Sequence, residues 1–156
     1  MCIRDRSTIF LNTFLAGAGG VMAAAIVSRL NFGKTDVIQM LNGCIGGLVA
    51  ITAEPIMPSP FAAILIGAVG GVIVVYGTKL LFTLKIDDVV GAIPAHLFAG
   101  NWGTLAVPIT NPDTSFGTQL LGVFAINIFV FAVALIVWAI MKSTIGIRLS
   151  KEAETK

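Results

Sequence analysis

The residue type best suited to moving a proton near neutral pH occurs once in this chain: His96, within Ile86-Asp87-Asp88-Val89-Val90-Gly91-Ala92-Ile93-Pro94-Ala95-His96-Leu97-Phe98-Ala99-Gly100-Asn101-Trp102-Gly103. The surrounding segment is apolar and long enough to span a bilayer. Counted from Asp88 at about 1.5 Å per residue, His96 falls roughly 12 Å into a helix, near the middle of a hydrocarbon core about 30 Å thick. An ionisable group at that depth is costly and marks a functional site by default. At helical spacing its face holds Val89, Ala92, Ile93, Ala99, Gly100 and Gly103, and the rest of the span offers no Asp, Glu, Lys or Arg. A neutral imidazole lining a narrow apolar passage is the simplest arrangement. The other is a histidine tying helices together through Asn12, Thr13, Asn42, Asn101 or Asn127. Pro94 lacks an N–H, so a carbonyl near the histidine must find another donor, and a kink is expected there.

The remaining polar residues have plainer roles. Asp87 and Asp88 precede the histidine span, where carboxylates cap free N–H groups and meet the positive end of the helix dipole. Glu54, before Pro55, is a solvated boundary residue or part of a cation-attracting vestibule. Trp102 is expected to pack and Trp138 to anchor at an interface. Cys2 and Cys44 are placed too differently to form a disulfide or metal pair. A hydrolytic or metal-dependent site around His96 would need a second His, Cys or intramembrane carboxylate, which the sequence does not offer. No enzyme activity, metal or cofactor is therefore expected.

The elements that must carry these residues are membrane helices. Of 156 residues 56% are hydrophobic and 12% charged, and the net charge is only +2. The basic residues sit at helix ends without interleaved aromatics, so nucleic acid is not an expected partner; a lipid bilayer is. Apolar runs give five candidate spans, about Ser7 to Leu30, Val37 to Ala53, Phe61 to Leu84, Val89 to Ile109 and Phe116 to Met141. The expectation is an all-α polytopic bundle whose short loops make consecutive helices antiparallel. Gly17, Gly19 and Gly20, Gly43, Gly46 and Gly47, and Gly67, Gly70 and Gly71 should let the first three helices approach closely, because lipid supplies no hydrophobic force between them.

Charge sets the orientation. Arg29 and Lys34 flank the first connection and Lys79 and Lys85 the third, the second and fourth contain no Lys or Arg, and the tail carries Lys142, Arg148, Lys151 and Lys156. The first and third connections and the C-terminus are expected in the cytoplasm. An odd number of spans then starts outside, with Arg4 and Arg6 on the disfavoured side. Residues 1–6 are accordingly expected to be a non-native prefix, 7–141 the C-terminal part of a larger transmembrane domain, and 142–156 a cytoplasmic tail.

Three stretches of this sequence, Leu41-Asn42-Gly43-Cys44-Ile45-Gly46-Gly47-Leu48-Val49-Ala50-Ile51-Thr52-Ala53, Ile86-Asp87-Asp88 with His96 eight residues on, and Gly100-Asn101-Trp102-Gly103-Thr104, resemble the ammonium transporter family, the Amt/Mep/Rh proteins. The tail from Gly146 to Glu154 is similar to the start of that family's cytoplasmic segment. The resemblance implies a fold of eleven helices built as an inverted pair of five plus one, of which this chain would supply helices seven to eleven. It also implies a homotrimer with a pore in each subunit, residence in the plasma (inner) membrane, and a P-II-type regulator at the cytoplasmic face. It makes His96 the second of two pore histidines, with Ile45, Thr52 and Ala92 lining the pore or its mouth. Asp88 matches an inner aspartate beside the pore helix, and Asn42 and Gly100 are structural positions near the pore. The first histidine, the outer aromatic site and the phenylalanine gate belong to earlier helices.

The chemistry so implied is selection by desolvation. An idealised cost of order 20 kcal/mol faces a small cation entering low dielectric, whereas neutral ammonia loses only hydrogen bonds. Deprotonation at the mouth followed by passage of ammonia between imidazoles is the expected route. Two other readings remain at this point: an ammonium sensor on the same fold, and an inactive membrane fragment.

Overall fold

A computed structural model describes residues 3–147. They fold as α1 (Ile3–Phe32), α2 (Val37–Ile51), α3 (Pro60–Thr83), a π-helical turn (Ile93–Phe98) that runs directly into α4 (Ala99–Thr110), and α5 (Phe116–Thr144). There is no strand among the described residues. The chain divides into two units between Leu120 and Leu121, inside α5. Of the basic tail, Arg148, Lys151 and Lys156 lie outside the described residues, as do Met1 and Cys2; Ile3 to Arg6 continue α1.

Local chemistry sets the helix limits. Asp36 caps α2, its Oδ1 accepting from Ile38 N at 2.8 Å and Gln39 N at 3.1 Å. Ser59 caps α3 through Ala62 N, with Pro60 at the first helical position, where its missing N–H is no loss. Gly33, at φ +71°, closes α1 with its N–H on the Arg29 carbonyl.

α1, α3 and α5 are long and apolar enough to cross a membrane. The expected second span is shorter than the sequence suggests: α2 has 15 residues, about 22 Å of rise against a core of about 30 Å. Beyond it the chain runs irregularly from Thr52 to Ser59. Asn12 of α1, fully buried, satisfies that irregular backbone, its amide donating to the carbonyls of Pro55 at 2.9 Å and Pro58 at 2.8 Å.

α1, α2 and α3 pack on one another through the nine glycines singled out above, all of them buried. A methyl group on Gly67 would overlap the Ala16 carbonyl, one on Gly71 the Gly20 carbonyl, and one on Gly20 the Gly43 carbonyl. The helices therefore meet backbone to backbone, the close contact that stands in for hydrophobic association in lipid. α2 and α3 also hold the π turn and α4, so the histidine segment is seated on the glycine-packed core.

Candidate functional site

The histidine segment departs from the uniform helix expected over Val89 to Ile109. Val89 and Val90 form a turn, Gly91 takes φ +74°, and helical structure begins only at Ala92. His96 is thus four residues into the helix, about 6 Å of rise and not 12 Å. The reason is local. Gly91 reverses the backbone into the left-handed region, where a side chain would also strike the Asn42 amide. Ala95 N donates to the Gly91 carbonyl at 3.2 Å, and from Ile93 to Phe98 the helix widens into its π form. π segments of this kind are frequent at functional sites.

Two side chains complete the backbone of this helix start. Asp88 spans the helix start: Oδ1 accepts from Ala92 N and Oδ2 from Ile93 N, both at 2.9 Å. These N–H groups have no carbonyl a turn earlier, and the carboxylate also meets the positive end of the helix dipole. Asn42 of α2, 9% exposed, donates through Nδ2 to the Val90 carbonyl at 2.9 Å. That carbonyl lies four residues before Pro94, the one residue that has no N–H to offer it. A cleft of about 160 Å³ opens beside this turn, lined by Thr78, Leu81 and Phe82 of α3 with Ile86, Asp87, Asp88 and Gly91.

The His96 side chain is exposed, while its backbone carbonyl stays in the helix and accepts from Ala99 N. Of the residues that could tie it down, Asn12 is engaged with the loop after α2 and Asn42 with Val90. Ala92 is exposed one turn before it. On α2, Ile45 and Thr52 are exposed at helical spacing on either side of half-buried Val49. Val49 Cγ1 would lie 3.5 Å from a methyl group added to Gly100, so α2 meets the histidine helix there. Of the four residues that the resemblance assigns to a pore, Ile45 and Thr52 are thus exposed on α2 and at its end, and Ala92 and His96 on the helix packed against it. The Thr52 hydroxyl donates back to the Val49 carbonyl at 2.7 Å.

Gly100 has only ordinary van der Waals room around it; the close approach on this helix is at Gly103, where a methyl group would overlap the Ala50 carbonyl. Trp102 packs against the buried Ala16, Ala50, Ile51, Ala63, Ile66 and Ala106, and its indole N–H donates to the Ile66 carbonyl at 3.1 Å. Two contacts at the other end of the helices carry no sequence signal of their own. Glu54 Oε2 accepts from Asn111 Nδ2 at 3.3 Å, and Oε1 accepts from Ile56 N at 3.3 Å, so this half-buried carboxylate braces two loops. No group of three or more His, Cys, Asp or Glu residues able to hold a metal occurs among the described residues.

Known proteins point one way. The family model of the Ammonium Transporter Family matches residues 3–156. Ammonium transporter Amt2 of Archaeoglobus fulgidus is 39% identical over 170 residues, covering 95% of this chain and 36% of the relative. An ammonium transporter of Bacillus subtilis is 30% identical, covering 94% of this chain and 40% of the relative. The chain thus spans little more than a third of the length of these relatives. Among solved structures, a sensor Amt protein superposes with TM-score 0.91 at 28% identity, over 99% of this chain and 41% of that one. Candida albicans Mep2 superposes with TM-score 0.82 at 24% identity, over 94% of this chain and 37% of that one, a likeness of fold.

Proposed function

The chain belongs to the ammonium transporter family, and from that premise we propose that it supplies one wall of a path by which ammonium, deprotonated at the mouth, crosses the bilayer as ammonia. The family is one of transporters and not of enzymes, and the chain is an integral membrane protein by its apolar helices and its relatives. The observation that carries the finer reading is the set of exposed residues on α2, at its end and on the helix packed against it. Ile45, Ala92 and Thr52 offer an almost wholly apolar surface, and His96 is the single proton-exchanging group on it. Such a wall denies a charged ammonium ion any replacement for its water, while an imidazole can hydrogen-bond neutral ammonia.

The test is His96→Ala in the native gene product that carries this chain, reconstituted in proteoliposomes. Ammonium-driven current and methylammonium uptake are both expected to fall by at least about tenfold, equivalent to about 1.4 kcal/mol in the barrier. Unchanged values for both would remove His96 from the path. A second reading, an ammonium sensor, is favoured by the close superposition on the sensor Amt protein. It predicts saturable ammonium binding by the unaltered protein with no flux.

A further inference from the structure

We propose that Asn42 is the positioning residue for His96, acting from a different helix by supplying the hydrogen bond that Pro94 withholds. This rests on the reading of His96 as a pore-lining group. Pro94 stands where an N–H would answer the Val90 carbonyl, as Ala95 N answers Gly91 one residue later. Without a donor, that part-buried carbonyl would lose its partner within the protein, or the turn would rearrange to find one. Asn42 Nδ2 meets it at 2.9 Å.

The same amide also selects the turn's shape. It occupies the space that any side chain on Gly91 would need, so the residue at φ +74° and the asparagine fit only together. Asn42 is nine-tenths buried on α2, between Leu41 and Gly43, and Gly43 is locked against Gly20 and Ala24 of α1. The start of the π turn is thereby tied to the most closely packed part of the bundle. Asp88 fixes the same turn from within its own segment, through Ala92 and Ile93. His96 follows two residues after Pro94, on a helix start held by one bond from Asn42 and two from Asp88. Rotation of that start would move the imidazole relative to Ile45 and Thr52.

Pro94→Ala returns a backbone N–H to the place Asn42 serves, which separates this role from mere packing. His96 is the only histidine in the chain, so histidine labelled with ¹⁵N and ¹³C gives one imidazole signal by solid-state NMR in lipid bilayers. We expect one narrow signal from the unaltered protein and from Pro94→Ala, several or broadened signals from Asn42→Leu, and a single signal again from Asn42→Leu/Pro94→Ala. Flux should follow, falling at least about tenfold in Asn42→Leu and recovering in part in the double variant, where tenfold corresponds to about 1.4 kcal/mol. An unchanged signal in Asn42→Leu overturns the proposal. So does a double variant no better than Asn42→Leu, including the case in which neither folds. Folding of the double variant alone supports it. If the unaltered protein carries no flux but the NMR pattern holds, the transport reading fails and the positioning role stands.

Discussion

The indole N–H of Trp102 on α4 donates to the backbone carbonyl of Ile66, in the body of α3, at 3.1 Å. That carbonyl belongs to a continuous helix, so the indole adds a second donor to it. Trp102→Phe keeps a six-membered ring against the buried cluster and removes the N–H together with the pyrrole part of the indole. The lost hydrogen bond should account for about 0.6 kcal/mol, the average for interhelical hydrogen bonds in membranes, and the lost ring atoms for a similar or somewhat larger amount, about 1 kcal/mol. Trp102→Ala empties the core contact and should cost about 3–5 kcal/mol. Thermal unfolding in mild detergent would rank the two; equal losses would mean that the hydrogen bond, and not the ring, joins α4 to α3.

Gly100 and Gly103 face different demands although they share a helix. Gly103→Ala forces a methyl group into the Ala50 carbonyl, whereas Gly100→Ala meets only Val49 at 3.5 Å. The first should destabilise by about 1–3 kcal/mol through overpacking and push α4 from α2. The second should be neutral or slightly stabilising, since alanine favours a helix by about 1 kcal/mol over glycine. Midpoints of denaturant-induced unfolding would show the contrast, and a Gly100→Ala loss as large as that of Gly103→Ala would contradict the packing described.

This contrast shows what was readable before the structure. Hydropathy and small residues give the helices and their glycine faces, because both depend on residue type along a single element. The break in the histidine span was only half legible. Pro94 announces a missing donor, but the choice of Asn42 to replace it depends on two helices meeting across 48 positions of sequence. Gly91 looks like any helical glycine until its φ is known. The bracing of Glu54 by Asn111 is likewise invisible in one dimension, since neither residue stands in a pattern. Asp88 was legible as a helix start because capping is a local matter, although the helix begins three residues further on than a direct cap would place it.

Asp88 should be felt first in the amides it caps. Asp88→Asn keeps one acceptor oxygen for the two N–H groups of Ala92 and Ile93, and Asp88→Ala keeps none. Loss of a helix cap costs about 1 kcal/mol, and that energy corresponds to roughly fivefold more opening of the first turn. Hydrogen exchange at Ala92 and Ile93 should therefore accelerate by about fivefold in Asp88→Ala and by less in Asp88→Asn. Amides within α3 should not change. Acceleration spread evenly over the bundle would show that Asp88 holds more than the helix start.

Orientation can be tested on the unit that contains the first four connections. Arg29 and Lys34 lie around the turn after α1, and Lys79 and Lys85 around the turn after α3, while the segments from Thr52 to Ser59 and from Asn111 to Ser115 contain no Lys or Arg. Basic residues stay on the cytoplasmic side because translocating them is unfavourable. With Cys2 and Cys44 replaced by alanine, single cysteines at exposed Thr35 and Thr83 should react with a membrane-impermeant maleimide only from the cytoplasmic side. Cysteines at exposed Met57 and Asp113 should react only from the opposite side. The second site is the demanding one. α2 has only 15 residues, and Met57 reaches the far surface only if the irregular segment held by Asn12 completes the crossing that the helix begins. Labelling of Met57→Cys from the cytoplasmic side would make α2 a re-entrant helix and reverse the sense of α3. Protection of Met57→Cys from both sides would place the Asn12-bound segment inside the bilayer.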